Sequence, residues 1–148
     1  MVKNISYKQK TQLDINIINS IGNANNFLQE KLHSYVKTTG LTPSQFAIII
    51  ILGNNGALKI SDIYKQMLIK SGNRTMILDS LEKRNFINRI FSKNDRREII
   101  IELTAAGQKF FEENHEKYSN FVEKIISNIS QNEQKDIATI AKKIIGEN

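Results

Sequence analysis

Hydrophobic residues recur at helical spacing over the first quarter of the chain. From about Ser6 to Val36 they follow one another in steps of three or four residues, which is the spacing of one helix face. The members of this stripe are Leu13, Ile17, Ile21, Ala24, Leu28, Leu32 and Tyr35. The pattern predicts one long amphipathic helix that ends near Gly40.

A second helix is predicted to begin shortly afterwards. Thr42 is a suitable N-cap, Pro43 suits the first helical position, and Gln45 stands where it completes a capping box with Thr42. The helix continues through the letters IIIIL and is apolar around most of its circumference, so we expect it to be buried on several sides. The polar break at 54–56 is predicted to end it.

Two short helices follow, each with a serine as candidate cap. Ser61 is predicted to cap the first, whose inner face contains Ile63 and Met67. Ser71 is predicted to cap the second, which extends to about Lys83. Its buried face is predicted to contain Ile77, Leu78 and Leu81, and its opposite face Thr75, Met76, Asp79 and Lys83.

After Asn85 the hydrophobic period changes from nearly four to two. Residues 86–92 and 98–103 are rich in isoleucine and flank the polar turn 93–97, which predicts a β-hairpin with a charged tip. Thr104 then caps a long helix, and a capping box that starts at Ser130 opens a final one. This order predicts a mainly α fold with a small β-hairpin wing: a winged helix-turn-helix flanked by long terminal helices.

Composition narrows the class of protein. The 148 residues suffice for one compact chain, in which we expect an N-terminal helix at 1–40, a winged helix-turn-helix lobe at 41–103 and C-terminal helices at 104–148. The absence of cysteine excludes thiolate metal sites and disulfides. Because no apolar run approaches the length of a membrane span and the N-terminal residues lack an apolar signal core, we expect a cytoplasmic protein.

The positive charge is concentrated in one segment. All five arginines lie within the 24 residues 74–97, and the window 70–97 carries +5 of the net charge of +6. Guanidinium groups match phosphate oxygens and guanine edges, so this clustering favours nucleic-acid recognition. The alternative is a solvated basic face with internal ion pairs.

Several fragments in this order resemble one family of regulators. They are LTPSQF at 41–46, SGNRT at 71–75, LEKRNFINR at 81–89, DRR at 95–97 and LTAAG at 103–107. Together they resemble the MarR-type (multiple antibiotic resistance regulator) winged-helix transcription regulators. The resemblance implies a homodimer with interlocked first and last helices, in which 1–40 and 104–148 supply the dimerisation helices and 41–103 is the DNA-binding lobe. It also implies a near-palindromic duplex operator, and release when a small ligand binds between these helices and the lobe.

Two positions depart from the pattern of that family. Arg74 stands where its members usually have a small or apolar residue, and Asn85 where they commonly have glycine. Asparagine tolerates a left-handed backbone, so the helix end before it is expected to be preserved. For Arg74 two interpretations stay open: contact with guanine or phosphate, or packing along the lobe surface with an acidic partner.

The candidate DNA contacts lie on two elements: the helix from Ser71 to about Lys83, which would be the recognition helix, and the wing tip at 93–97. Small polar groups at the helix start and cations at its edges suit the major groove, and the clustered cations of the tip suit the minor groove. The predicted contacts are Ser71, Asn73, Arg74, Thr75, Met76, Lys83, Lys93, Asn94, Asp95, Arg96 and Arg97. The resemblance implies that Arg97 is inserted and Asp95 orients it. Each of these contacts has a structural alternative. Ser71 would then be only a helix cap, Met76 a surface residue without a function, and the ion pair of Asp95 with Arg97 an ordinary surface salt bridge.

Other candidate chemistry is sparse. The resemblance makes Tyr35, Phe46, Phe110 and Phe111 candidate walls of a ligand site, with ordinary packing as the alternative. Two scattered histidines and no catalytic motif predict no metal, no cofactor and no enzyme. We expect Arg84 and Arg89 to support the lobe or meet phosphate.

The predicted function is therefore that of a sequence-specific regulator of transcription. It would bind double-stranded DNA and act as a repressor released by a small-molecule ligand. The alternative is a non-catalytic protein-interaction module, in which the winged helix is a scaffold and the apolar terminal helices bind a different chain.

Overall fold

The described backbone is mainly helical and contains one small sheet. The computed structural model of the chain describes residues 2–67, 74–91 and 98–146, with side chains from residue 10 onward. Its helices are α1 (Val2–Lys37), α2 (Pro43–Asn55), α3 (Ile60–Met67), α4 (Arg74–Lys83), α5 (Ala105–Ile125) and α6 (Gln131–Ile145). Its strands are β1 (Leu58–Lys59), β2 (Ile87–Phe91) and β3 (Ile99–Leu103). The chain divides into two compact units, Met1–Gln108 and Lys109–Asn148. The predicted fold class is confirmed.

Helix α2 begins and ends as its sequence predicts. The Thr42 hydroxyl accepts from the Gln45 amide at 3.3 Å, and the Gln45 side chain accepts from the Thr42 amide at 2.9 Å. Gly56 ends the helix with φ 75, a backbone conformation that side chains rarely adopt, and its amide donates to the Leu52 carbonyl. Both ends of α2 are thus satisfied by residues next to it in the sequence.

The core of the first unit surrounds α2. Phe46, Ile48, Ile49 and Leu52 are at most 2% exposed, which confirms the predicted burial on several sides. Other buried side chains come from α1, the connection between α1 and α2, α3, α4 and the strands: Val36, Leu41, Ile63, Tyr64, Leu78, Leu81, Ile87 and Ile101. Because each fully buried aliphatic side chain contributes about 1.5–3 kcal/mol, these contacts dominate the stability of this unit.

The predicted hairpin forms, and an unpredicted third strand joins it. Strands β2 and β3 pair antiparallel from Ile87 opposite Leu103 to Phe91 opposite Ile99. The two residues of β1 pair with the other edge of β3. Since β1 leads directly into α3, that helix begins at Ile60, and the prediction that Ser61 caps it is wrong. Ser61 lies in the first turn.

Asn85 ends α4 in the left-handed conformation that the sequence predicts. Its φ is 59, and its amide donates to the Glu82 carbonyl at 2.8 Å. The following amide, of Phe86, donates to the Leu81 carbonyl at 2.9 Å. These two bonds form a Schellman motif, which satisfies carbonyl groups at the helix end and directs the chain into β2.

Thr104 closes the base of the hairpin and caps α5. Its hydroxyl donates to the Asn85 carbonyl at 2.5 Å and accepts from the Gly107 amide at 3.0 Å. Its own amide donates to the Phe86 carbonyl at 3.1 Å. The predicted cap is confirmed, and the same residue ties the end of β3 to the residues before β2.

Helices α1 and α6 expose apolar side chains. Leu13 and Ile18 of α1 are 60% and 70% exposed, and four isoleucines of α6 are each more than half exposed. These four are Ile137, Ile140, Ile144 and Ile145. The capping box that starts α6 forms as predicted between Ser130 and Glu133. Its hydrogen bonds to Ser130 lower the pKa of the Glu133 carboxyl.

Gly107 is predicted to tolerate no side chain, because a Cβ there would overlap the Phe86 carbonyl and crowd Leu103. We expect Gly107→Ala to lower the free energy of unfolding by about 1–3 kcal/mol. Ala106→Ser, which adds one atom at an exposed position in the same turn, is the control and is expected to change it by less than about 0.5 kcal/mol. Urea unfolding measures both, and equal stabilities of the two variants would contradict the proposed packing.

Candidate nucleic-acid interface

Helix α4 has one buried face and one exposed face. Leu78 and Leu81 pack into the core, whereas Thr75, Met76 and Lys83 are exposed, with Met76 71% exposed. This division confirms the predicted faces of the helix, except that Ile77 is only half-buried. A hydroxyl, a thioether methyl and an ammonium group are therefore available on one side of a helix that is fixed on its other side.

Arg89 of β2 holds α4 through two carboxylates. One terminal nitrogen of its guanidinium lies 2.5 Å from an Asp79 oxygen, and the other lies 3.2 Å from a Glu82 oxygen. The two acidic residues are three positions apart, so they lie on neighbouring turns of the same helix side. Because Arg89 is only 27% exposed, its ion pairs are less screened than open surface pairs. They fix the wing strand against α4.

The α1–α2 corner, which includes Gly40 and Gln45, also contacts α4 and the residue that follows it. The Gln45 amide nitrogen donates to the Ser80 hydroxyl at 2.8 Å. Directly after the end of α4, Arg84 donates to the Gly40 carbonyl at 3.0 Å, and its guanidinium lies 5.2 Å from the Phe86 ring centre. Gln45 thus serves two helices, since its side-chain oxygen completes the cap of α2.

Tyr64 of α3 contacts the first residue of α4 in two ways. Its hydroxyl donates to the Arg74 carbonyl at 2.5 Å, and the Arg74 guanidinium lies over its ring at 4.7 Å from the centre. Burial raises the pKa of the Tyr64 hydroxyl, and the charges of Arg74 and Arg89 offset part of that rise. The hydroxyl therefore stays protonated near neutral pH and remains a hydrogen-bond donor.

The four candidate ligand-site aromatics belong to different compact units. Tyr35 and Phe46 form an edge-to-face pair in the first unit, with ring centres 6.0 Å apart. Phe110 and Phe111 are half-buried residues of α5 in the second unit, where the Phe111 ring lies 4.8 Å from His115. Their role as ligand contacts remains a prediction.

Comparison with known proteins identifies the family. The MarR family model matches residues 41–99. The transcriptional repressor MdtR of Bacillus subtilis (strain 168) is 30% identical over 117 residues, which cover 79% of this chain and 76% of the repressor. The chain belongs to the MarR family.

Two further similarities support the MarR assignment. An uncharacterised HTH-type transcriptional regulator of Bacillus subtilis (strain 168), YfiV, is 40% identical over 73 residues. This match spans 49% of the chain and just under half, 46%, of that regulator's own length. The crystal structure of NadR in complex with 4-hydroxyphenylacetate is 26% identical and superposes with a TM-score of 0.72, covering 84% of this chain and 89% of NadR.

The MarR relatives confirm the predicted class of protein. MdtR is a transcriptional repressor and YfiV a transcriptional regulator, so the family is one of DNA-binding regulators, as the sequence predicted. Among the described residues, no group of three or more His, Asp or Glu side chains is arranged to hold a metal ion. No helix in the described part of the chain is long and apolar enough to cross a membrane.

The structure places only part of the predicted MarR-type interface. Arg74, Thr75, Met76 and Lys83 lie on α4, and the exposed groups of the last three share one side of it. The other predicted contacts lie outside the described residues, namely Ser71 and Asn73 within 68–73, and Lys93, Asn94, Asp95, Arg96 and Arg97 within 92–97. Their roles remain predictions.

The three described arginines of this MarR protein all make contacts inside the first compact unit. Arg74 lies on Tyr64, Arg84 bonds to Gly40, and Arg89 bonds to two carboxylates. Clustering of arginine along the sequence was therefore an ambiguous signal, because internal ion pairs account for part of it. The spacing of Asp79 and Glu82 on α4, opposite a basic residue of the following strand, is the signal that points to the Arg89 contacts.

Proposed function

We propose that the chain is a repressor that binds double-stranded DNA through the exposed face of α4 and the wing. The observation that carries this proposal is the two-sided character of α4: Leu78 and Leu81 are buried on one face, whereas Thr75, Met76 and Lys83 are exposed on the other. Three neighbouring elements bond to the helix, β2 through Arg89, α2 through Gln45 and α3 through Tyr64. A helix of this kind, following α3 and preceding a hairpin, is the recognition element of a winged helix-turn-helix. Membership of the MarR family supports the same assignment.

The groups on the open face suit the major groove. The Thr75 hydroxyl can bond to a base edge or phosphate, and the Met76 methyl can contact the methyl group of thymine. Lys83, at the far end of the helix, is placed to meet a phosphate. Further contacts are proposed from the sequence, at the helix start from Ser71 and Asn73 and at the wing tip from Lys93, Asn94, Asp95, Arg96 and Arg97.

A homodimer is the proposed functional form. The exposed apolar side chains of α1 and α6 belong to the segments 1–40 and 104–148, which we propose as dimerisation helices around the lobe 41–103. Contiguous exposed apolar surface favours association. Two lobes related by a two-fold axis would engage successive major grooves about 34–36 Å apart, so the operator is proposed to be near-palindromic.

Release by a small molecule is the proposed regulation. It is supported by the NadR structure, since that relative was crystallised with 4-hydroxyphenylacetate. The edge-to-face pair of Tyr35 and Phe46 lies next to the α1–α2 corner, which in turn bonds to α4 through Gly40 and Gln45. We propose these two aromatics, with Phe110 and Phe111, as ligand contacts.

The DNA contacts are tested by selecting bound duplexes from a random library. We expect wild-type protein to enrich one near-palindromic sequence. Thr75→Ala combined with Met76→Ala is expected to weaken that complex about tenfold or more, because the two changes remove the groups that meet base edges. Arg96→Ala combined with Arg97→Ala is expected to reduce the salt dependence of binding, by about 0.9 in the log–log slope for each phosphate that the protein no longer neutralises.

The control for these variants is Lys109→Gln, which removes an exposed cation from α5 and is expected to leave affinity and slope unchanged. If wild-type protein enriches no duplex, DNA binding is refuted. If it does enrich one and the Arg96 and Arg97 changes leave affinity and slope at the wild-type values, the wing assignment is refuted.

Dimerisation is tested by placing charge on α6. Wild-type protein is expected to have twice the chain mass of 16.9 kDa in light scattering. Ile140→Glu combined with Ile144→Glu is expected to yield monomer, because carboxylates would have to be desolvated in an apolar interface. Lys135→Glu, a change at an exposed polar position of the same helix, should remain dimeric. A monomeric wild type that binds no duplex would favour the protein-interaction module.

A further inference from the structure

We infer that Tyr64 and Arg74 form a positioning pair that fixes the first turn of α4 on α3, and that the Arg74 guanidinium serves this pair instead of contacting DNA. The consequence for DNA recognition rests on the proposed function. The existence of the pair is inferred only from the contacts in the protein without DNA. It also decides between the interpretations of Arg74 that the sequence leaves open.

The two residues are joined by two different contacts. The Tyr64 hydroxyl bonds to the backbone carbonyl of Arg74, and the Arg74 side chain returns over the face of the same ring. A hydrogen bond limits the distance between α3 and the start of α4, and a ring-stacked guanidinium limits the rotation between them. Together they define the placement of Arg74 more closely than either contact alone.

Because the Tyr64 ring is buried, moving the Arg74 guanidinium away from it would cost free energy. Tyr64 is only 4% exposed, so its ring contributes to the core and Arg74 covers part of it. A cation over an aromatic face is held more strongly when it is partly desolvated than when it is fully hydrated. Extending Arg74 toward a phosphate would uncover the ring and forfeit this contact. The planar guanidinium therefore has a use inside the lobe that a small or apolar residue at position 74 could not supply.

Among the described residues of the first turn of α4, none is fully buried. The buried leucines of this helix, Leu78 and Leu81, lie in its middle and toward its end. In the first turn Thr75 and Met76 are exposed. Since the proposed function places these two side chains against base edges, a small shift of this turn would misalign them. The Tyr64–Arg74 pair is thus positioned to determine how well α4 discriminates between sequences.

Two variants test the pair. Tyr64→Phe removes the hydroxyl and keeps the ring, and Arg74→Met removes the charge while keeping an unbranched apolar stem. Affinity is measured for the selected duplex and for an unrelated duplex over a range of salt concentrations. We expect Arg74→Met to weaken the selected complex about tenfold and Tyr64→Phe about threefold, with unrelated-duplex affinity and salt slope unchanged. Lys109→Met is the matched control for removal of a cation.

The remaining outcomes would overturn either the inferred pair or the proposed function. If Arg74→Met weakens both complexes equally and lowers the slope by about 0.9, the value for one phosphate, Arg74 meets phosphate and the inference is overturned. Hydrogen exchange of free protein provides a test that needs no DNA. The Leu78 amide, four residues after the Arg74 carbonyl, should exchange faster in both variants while the Leu52 amide does not change. Unchanged Leu78 exchange would refute the pair, whereas failure of wild type to enrich any duplex would refute only the proposed function.

Discussion

Helix α4 is ten residues long and buries only Leu78 and Leu81, so its position depends on polar contacts from the elements around it. Arg89 reaches it from β2, Gln45 from the start of α2, and Tyr64 from α3. Partly exposed ion pairs, such as those of Arg89, and single hydrogen bonds, such as those of Gln45 and Tyr64, each stabilise a fold by about 1 kcal/mol, while the two leucines contribute more. The leucines attach the helix to the core, and the directional polar contacts determine its orientation.

The same contacts shape the surface that α4 presents. Asp79 is an exposed carboxylate on a helix that we propose to face DNA, where an unpaired negative charge would repel phosphates. Its ion pair with Arg89 neutralises that charge and at the same time fastens the wing strand to the helix. The wing is fixed at its base as well, because Thr104 joins the two ends of the hairpin. Helix α4 and the strands of the hairpin are therefore joined by one set of polar contacts.

Local signals in the sequence predicted the fold well, because helix caps and turns depend on neighbouring residues. The boxes at Thr42 and Ser130 and the left-handed Asn85 are of this kind. Strand β1 was missed because two residues have no period to detect, and its direct passage into α3 made Ser61 the wrong cap. The contact between Tyr64 and Arg74 joins residues ten positions apart across a helix junction, so no periodicity predicts it.

The central claim is that the exposed face of α4 meets duplex DNA, and site-specific photo-crosslinking tests it most directly. A photoreactive side chain is introduced at position 75 of α4 or, as the comparison, at exposed position 127 in the second unit. Our account predicts crosslinks to the selected duplex from position 75, which disappear when excess unlabelled duplex is added, and none from position 127. Crosslinks from position 127 with none from position 75 would contradict it.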